Sequence, residues 1–187
     1  MKFINQTLNE ISDNFNKLAK KSVPQIEEAS ELIIKSLKNG GKIMFCGNGG
    51  SAADAQHLSA ELVGRYMKNR RPLASIALTT DTSILTAVSN DFSFDDIFSR
   101  QVESIGNDGD VLYVISTSGK SQNVINAIKV AKKLNIKTLG ITGSDDSSFK
   151  KICDLVISVP ASRPDRIQEM HIAVGQIICE ILEEELC

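Results

Sequence analysis

Apolar residues follow two different spacings along this chain. Near the N-terminus they recur every three or four positions, as at Ile4, Leu8, Ile11 and Phe15, which is typical of one face of an amphipathic helix. Farther along they form short unbroken runs such as 111–115, typical of a strand buried on both faces of a parallel sheet. The pattern therefore predicts a chain that combines helices with buried parallel strands.

Two helices are expected before the first strand. The first covers 3–20, and Ser22-Val23-Pro24 ends it and starts the second, because proline suits the first turn of a helix. The second helix runs to Gly40-Gly41, a signal for a helix C-terminus. A leading hairpin of this kind packs either on the body of its own chain or on a partner subunit.

Strands and helices alternate through the rest of the sequence. We predict strands over 42–46, 73–78, 111–115, 137–142 and 155–159. We predict helices from about 51, over 83–89, 94–105 and 123–134, in a short stretch after 143, and from about 165 to the end. This order indicates an α/β fold: a doubly wound, mainly parallel sheet with helices on both faces. We expect one domain over 1–187, with the N-terminal helices in 1–40 and the core in 41–187.

Composition and charge exclude several classes of partner. The 187 residues carry a net charge of −2 with a pI near 5.7, so there is no basic field to attract nucleic acid or an anionic membrane. No apolar run approaches the roughly 20 residues of a membrane span, and the N-terminus does not resemble a signal peptide. We therefore expect a cytoplasmic protein that binds neither nucleic acid nor membrane.

The cysteines do not suggest a redox or metal motif. Cys46, Cys153, Cys179 and Cys187 show no CxxC spacing, and three of them lie in apolar sequence. A reduced thiol in such surroundings behaves as a small hydrophobic group. We interpret these cysteines as structural and reduced.

The first segment with candidate chemistry joins the 42–46 strand to the next helix. Its loop, Gly47-Asn48-Gly49-Gly50-Ser51, lets the backbone approach an anion closely, and a helix N-terminus offers free amides and partial positive charge. His57 and Glu61 then lie one turn apart on one face of that helix. The alternatives are a simple connecting turn and an ordinary surface pair extended by Arg65.

A second loop of similar chemistry follows the 111–115 strand. Its hydroxyl groups come from Ser116, Thr117, Ser118 and Ser121. Ligands of doubly wound sheets bind outside the carboxyl ends of the strands, so the two loops can converge on one phosphate group. The alternative is a serine-rich turn that only caps a helix. The presence of both loops favours phosphate binding.

A third polar segment opens the C-terminal helix. Gln168, Ile172 and Gln176 share one face of that helix at intervals of four residues, and His171 lies on the adjoining flank. The alternative is an amphipathic helix whose polar residues face water.

Taken together, the polar segments resemble the sugar isomerase (SIS) domain family, and within it the phosphoheptose isomerases. The matching segments are 46–57, 60–62, 89–92, 115–119 and 166–171. The resemblance implies interconversion of sedoheptulose 7-phosphate and D-glycero-D-manno-heptose 7-phosphate for heptose-containing surface polysaccharides. It also implies a homotetramer with sites between subunits, one zinc ion per subunit and no organic cofactor.

The resemblance further implies roles for individual residues. Zinc would be held by His57, Glu61 and Gln168, with Glu61 also the catalytic base. Substrate would be bound by Asn48, Gly49, Gly50, Ser51, Glu61, Asn90, Asp91, Ser116, Thr117, Ser118, Ser121 and Gln168. An isomerase of this kind needs a base at the carbon beside the carbonyl and a group that stabilises the enediol, which agrees with these roles.

One position departs from the family pattern. Gln176 stands where the family usually carries a second histidine, which ligates zinc and is the proposed general acid. An amide oxygen is a weak ligand and cannot shuttle protons near neutral pH. Three options follow: His171 or a water takes the acid role, the metal alone polarises the carbonyl, or the chain binds sugar phosphate without turnover. The alternative function is accordingly a non-catalytic tetrameric SIS protein that binds the replication initiator or a sugar phosphate. A sugar-phosphate sensor would be expected to carry a DNA-binding module as well.

Overall fold

The computed structural model describes residues 2–187, which form a parallel sheet with helices on both faces. The strands are β1 (Ile43–Gly47), β2 (Ser75–Ala77), β3 (Val111–Ile115), β4 (Lys137–Thr142) and β5 (Leu155–Ser158). The α-helices are α1 (Lys2–Lys21), α2 (Val23–Lys38), α3 (Gly50–Val63), α4 (Thr82–Asp91), α5 (Ser99–Ile105), α6 (Gln122–Lys133), α7 (Ser147–Lys150) and α8 (Pro164–Leu186). The predicted α/β class and the leading helical hairpin are confirmed.

The sheet has the strand order β2-β1-β3-β4-β5, and every neighbouring pair is parallel. The connection after β1 leads to β2 on one side of the sheet, whereas the connection after β3 leads to β4 on the other side. The two connections therefore diverge between β1 and β3. In a doubly wound sheet such a divergence opens a crevice at the carboxyl ends of the two strands. This edge of the sheet is therefore where a ligand site is expected.

Side chains that alternate along the strands build two separate cores. In β1, Ile43 and Phe45 pack toward α2, α3 and α8, whereas Met44 and Cys46 pack toward α5, α6 and α7. Both sets are almost fully buried, which explains why the strand is one unbroken apolar run. Three of the four cysteines lie in these cores, and Cys187 is exposed.

Most predicted bounds are off by one or two residues, and two differences change the description of an element. The helix predicted over 94–105 is a 3₁₀ turn, Phe94–Asp96, followed by α5. Ser93 starts the turn, since its hydroxyl accepts a hydrogen bond from the Asp95 amide at 3.1 Å. The strand predicted over 73–78 is shorter, Ser75–Ala77, and lies at one edge of the sheet, where it pairs only with β1. Within residues 2–187, no helix has the length and apolar character needed to cross a bilayer.

Candidate active site

The two glycine- and serine-bearing loops start side by side. The β1–α3 loop leaves β1 after Gly47, the β3–α6 loop leaves β3 after Ile115, and these two residues are partners in the sheet register. A Cβ on Gly47 would lie 2.8 Å from the Ile115 carbonyl oxygen and 2.8 Å from the Ser51 Cβ. Only glycine therefore allows β1, β3 and the start of α3 to approach this closely.

The β1–α3 loop presents its backbone to solvent. Gly49 takes a positive φ of 56° at the N-cap position of α3, a conformation that favours glycine. Gly49 and Gly50 are exposed, and the Ser51 side chain is buried beneath them. The loop therefore leaves an open backbone surface at a helix N-terminus, the arrangement that binds anions in other proteins.

A pair of asparagines joins this loop to α6. Asn48 and Asn123 exchange two side-chain hydrogen bonds, each 2.9 Å long, and Asn123 also accepts one from the Val124 amide. Asn123 is buried, at the start of the helix that follows the second loop. Sequence reasoning missed it, although a polar residue inside the first turn after the serine-rich loop was a usable signal. The side chain of Asn48 is thus engaged in holding the two loops together.

The β3–α6 loop is shaped by its own hydroxyl groups. The Ser116 hydroxyl accepts a hydrogen bond from the Gly119 amide at 3.1 Å, and Gly119 takes a positive φ of 63°. The Ser118 hydroxyl accepts one from the Lys120 amide at 3.2 Å. Ser121 occupies the N-cap position of α6 and makes no capping hydrogen bond within the described chain. Ser116 is buried and Ser118 exposed, so the predicted hydroxyls differ in their access to a ligand.

A pocket of about 190 Å³ lies beside this second loop. The residues that line it are Thr117, Ser118, Lys120, Gly143, Ser144, Asp145, Ala161, Ser162, Pro164 and Ile167. Two of the lining residues, Lys120 and Asp145, form an exposed ion pair at 3.2 Å. The pocket extends the polar surface of the second loop toward the start of α8.

Helix α3 brings the predicted imidazole and carboxylate together. The Nε2 atom of His57 and the Oε1 atom of Glu61 are 3.0 Å apart. The side chain of His57 is half exposed, and that of Glu61 is 20% exposed. The predicted pair therefore exists and is open to solvent on one side.

Helix α8 lies against α3 and brings Gln168 to the first loop. A Cβ on Gly50 would lie 2.7 Å from the Gln168 Nε2, and one on Gly175 would lie 2.5 Å from the Leu58 Cδ1. These glycines allow the two helices to pack closely. Gln176, the residue that follows Gly175, is half-buried.

His171 is enclosed by the protein. It is 1% exposed, and neither ring nitrogen has a hydrogen-bond partner in the described residues. Burial disfavours the imidazolium and lowers the pKa of His171 to about 4, with a smaller opposing influence from the Thr142 backbone. His171 is thus neutral near pH 7 and shielded from solvent. Its predicted role as general acid stays a prediction without support from this geometry.

This burial predicts a specific loss of stability in acid. Because His171 has a lower pKa in the folded than in the unfolded protein, its contribution to stability is fully present above the unfolded-state pKa of 6.5. That stability is lost as the pH falls toward 4. Between pH 7 and pH 5, wild type should lose about 2 kcal/mol more unfolding free energy than a His171→Leu variant. Urea denaturation at both pH values measures the difference, and equal losses in the two proteins would contradict it.

Asp54 is an additional acidic residue that sequence reasoning missed. It lies on α3 one turn before His57, and its Oδ2 atom is buried without a hydrogen-bond partner in the described chain. Burial raises the pKa of Asp54 to about 6, against the opposing influence of His57. Its i, i+3 spacing from His57 was the available signal.

The predicted sugar-binding residues Asn90 and Asp91 bond to each other. They occupy the last turn of α4, both are exposed, and the Asn90 Nδ2 donates a hydrogen bond to the Asp91 Oδ1 at 2.8 Å. Among residues 2–187, no hydrogen bond links them to the two loops or to Glu61. Their predicted contact with sugar hydroxyls stays a prediction.

The side chains here are only partly suited to a metal ion. His57 and Glu61 converge, and imidazole nitrogen and carboxylate oxygen are ordinary zinc ligands. Within the described part of the chain, however, no group of three or more His, Cys, Asp or Glu side chains is arranged to hold a metal. A complete site would therefore need amide oxygens such as those of Gln168 and Gln176, or a residue from another subunit.

Comparisons with known proteins agree with this architecture. The SIS domain family matches residues 6–143. The phosphoheptose isomerase of Rhodospirillum rubrum is 55% identical over 164 residues, which cover 88% of this chain and 87% of that protein.

Two solved structures share the whole fold. The phosphoheptose isomerase of Neisseria gonorrhoeae superposes with a TM-score of 0.92 at 42% identity, covering 98% of both chains. That of Francisella tularensis gives a TM-score of 0.95 at 34% identity, covering 98% of this chain and 97% of the other. The chain therefore belongs to the SIS domain family and, within it, to the phosphoheptose isomerases.

Proposed function

We propose that this protein converts sedoheptulose 7-phosphate to D-glycero-D-manno-heptose 7-phosphate, in the cytoplasm, for heptose-containing surface polysaccharides. The supporting observation is the pairing of Gly47 with Ile115, from which the two glycine- and serine-bearing loops leave together while Glu61 lies on the helix that follows the first. Family membership supports the general activity of a sugar-phosphate isomerase. The seven-carbon substrate and the biosynthetic pathway are proposed in addition.

The proposed reaction needs one base that serves two neighbouring carbons. The phosphate is held by the amides near Gly49 and Gly50 and by the hydroxyls of Thr117, Ser118 and Ser121. The Glu61 carboxylate removes a proton from C1 of the ketose, which forms an enediol, and returns it to C2. The O1 proton is lost as the aldehyde forms, and O2 gains a proton to become a hydroxyl.

Zinc is proposed to be held by His57, Glu61 and Gln168, with Gln176 as a weak fourth ligand. Because Gln168 lies beside Gly50, about 16 Å along α3 from Glu61, this proposal takes Gln168 from another subunit of the tetramer. When bound, zinc supplies polarisation of the substrate carbonyl. The His57–Glu61 distance of 3.0 Å supports the first two ligands. No organic cofactor is required, since the reaction only moves protons within one molecule.

The glutamine at position 176 is the feature that favours the non-catalytic alternative over the proposed isomerase. A Gln176→His variant should turn over at least about ten times faster if a second imidazole is the missing acid, in line with the 10²–10⁴-fold typical of general acid–base catalysis. Steady-state kinetics at saturating sugar phosphate and zinc measure this, with Gln176→Asn as the matched control. A Gln176→His rate at or below wild type would show that glutamine is no handicap at this position.

A homotetramer with sites between subunits is part of the proposal. The support is an apolar face of α1 whose side chains have nothing to cover them in the single chain: Phe3 is 76% exposed, and Ile4 and Leu8 are each 58% exposed. Beside it, an apolar groove of about 310 Å³ runs between α1, α2 and α8. Soluble chains rarely leave such faces uncovered, so a second copy is the proposed partner.

The function is tested by incubating the purified protein with sedoheptulose 7-phosphate, with and without added zinc, and following the aldose product. We expect turnover by a species that elutes at the mass of a tetramer. Sugar-phosphate binding without turnover would reject the isomerase and favour the alternative, a non-catalytic protein that binds the replication initiator or a sugar phosphate.

A further inference from the structure

The end of α3 that carries Glu61 is held by a buried arginine. Arg70 donates hydrogen bonds from Nη2 to the Glu61 carbonyl at 2.7 Å, and from Nη1 to the Leu62 carbonyl at 2.8 Å and the Gly64 carbonyl at 3.4 Å. The last carbonyls of a helix lack partners within the helix, and a basic side chain can bind them. Here the capped carbonyl belongs to Glu61 itself.

Arg70 is in turn fixed by Glu183 of α8. The Arg70 Nε donates to Glu183 Oε1 at 3.0 Å, and the two side chains are 3% and 2% exposed. The Glu183 carboxylate also accepts hydrogen bonds from three successive backbone amides, at 2.7, 2.8 and 2.8 Å: those of Tyr66, Met67 and Lys68. Burial alone would raise the pKa of Glu183, but these amides and Arg70 lower it to about 2, so the carboxylate stays ionised.

Helices α3 and α8 are thus joined at both ends. Near their starts, Gly50 lies against Gln168, and near their ends Arg70 is bound to Glu183. The same helix α8 therefore supplies both Gln168 and the anchor for Arg70.

We propose that Arg70, anchored by Glu183, is a positioning residue that fixes the Glu61 carboxylate relative to the sugar carbons. The proposal rests on the isomerase function proposed above. Because Glu61 lies eleven residues beyond Gly50, at about 1.5 Å per residue it is some 16 Å along the helix from the first loop. A shift at the far end of α3 should therefore disturb the chemistry and leave phosphate binding largely intact.

The test compares Arg70→Gln and Arg70→Lys with Arg71→Gln, a matched control at an exposed arginine next in sequence. Displacing a catalytic group by about 1 Å can cost on the order of 100-fold in rate. We expect Arg70→Gln to lower kcat by on the order of 100-fold with KM for the heptulose phosphate changed less than about 3-fold. Arg70→Lys should recover part of the rate, and Arg71→Gln should match wild type.

Hydrogen exchange supplies a readout that does not depend on activity. Amides in 61–65 should exchange faster in Arg70→Gln than in wild type at a temperature where circular dichroism shows both fully folded, and Arg71→Gln should show no change. Unchanged kcat together with unchanged exchange in folded Arg70→Gln would overturn the proposal. A loss of kcat no larger than the fraction of Arg70→Gln that is unfolded would also overturn it. If Arg70→Gln fails to fold, Arg70→Lys decides by the same two measurements. Inactivity of wild type and Arg71→Gln together would reject the proposed function, and the exchange of 61–65 would then decide whether Arg70 fixes this segment.

Discussion

Replacement of Glu61 by glutamine is expected to abolish turnover, lowering kcat by on the order of 10³-fold or more, as removal of a general base does. Glutamine has nearly the same shape and can still bond His57, so the helix should be undisturbed. Sugar-phosphate affinity should persist, since the two loops lie at the other end of α3. Stopped assays of the aldose product and calorimetric titration with the heptulose phosphate measure the two quantities separately.

The control for this substitution is Glu28→Gln, which removes an exposed carboxylate on α2 that lies beside Lys137 and Leu155, at the amino ends of β4 and β5. It should behave as wild type in both measurements. Unchanged activity in Glu61→Gln would remove Glu61 from the role of base. Loss of both turnover and binding would instead assign Glu61 to holding the substrate.

Introduction of a negative charge into the second loop is expected to block substrate binding without harming the fold. In a Ser118→Asp variant the new carboxylate would face the phosphate, and like charges about 4 Å apart repel by roughly 4 kcal/mol at an effective dielectric constant of 20. KM should rise by on the order of 100-fold or more, with a much smaller change in kcat. Because Ser118 is exposed and lies near the start of α6, where negative charge is favoured, the melting temperature should not fall.

Ser118→Asn is the matched control, since asparagine has nearly the same size as aspartate but carries no charge. It should raise KM only a few-fold. Equal effects of Asn and Asp would show that the loop is disturbed by shape, and an unchanged KM in Ser118→Asp would place the phosphate elsewhere.

Much of the fold could be predicted because the buried strands and amphipathic helices each leave a local pattern. Val111–Ile115 was recognisable as a doubly buried strand without knowledge of its neighbours. The break after Asp96 was not, because Phe94, Ile97 and Phe98 keep helical spacing across the 3₁₀ turn. Spacing alone cannot distinguish one continuous helix from two short elements that bury the same side chains.

The candidate site was predictable where its chemistry lies close in sequence. Both loops and the His57–Glu61 pair belong to this class. The long-range bonds were not predictable: Arg70 and Glu183 are 113 residues apart, and Asn48 and Asn123 are 75 apart. Their polar side chains resemble surface residues in the sequence, and only the packing of α3, α6 and α8 brings each pair together.

The reciprocal bonds between Asn48 and Asn123 have a consequence for catalysis. They tie the β1–α3 loop to the helix after the β3–α6 loop, so the protein's own side chains fix the relative position of the two loops. If the loops bind phosphate as proposed, little conformational freedom of the loops is lost when a phosphate ester binds. In the proposed reaction, the intrinsic binding energy of the remote phosphate group would then remain available to lower the barrier to enolisation.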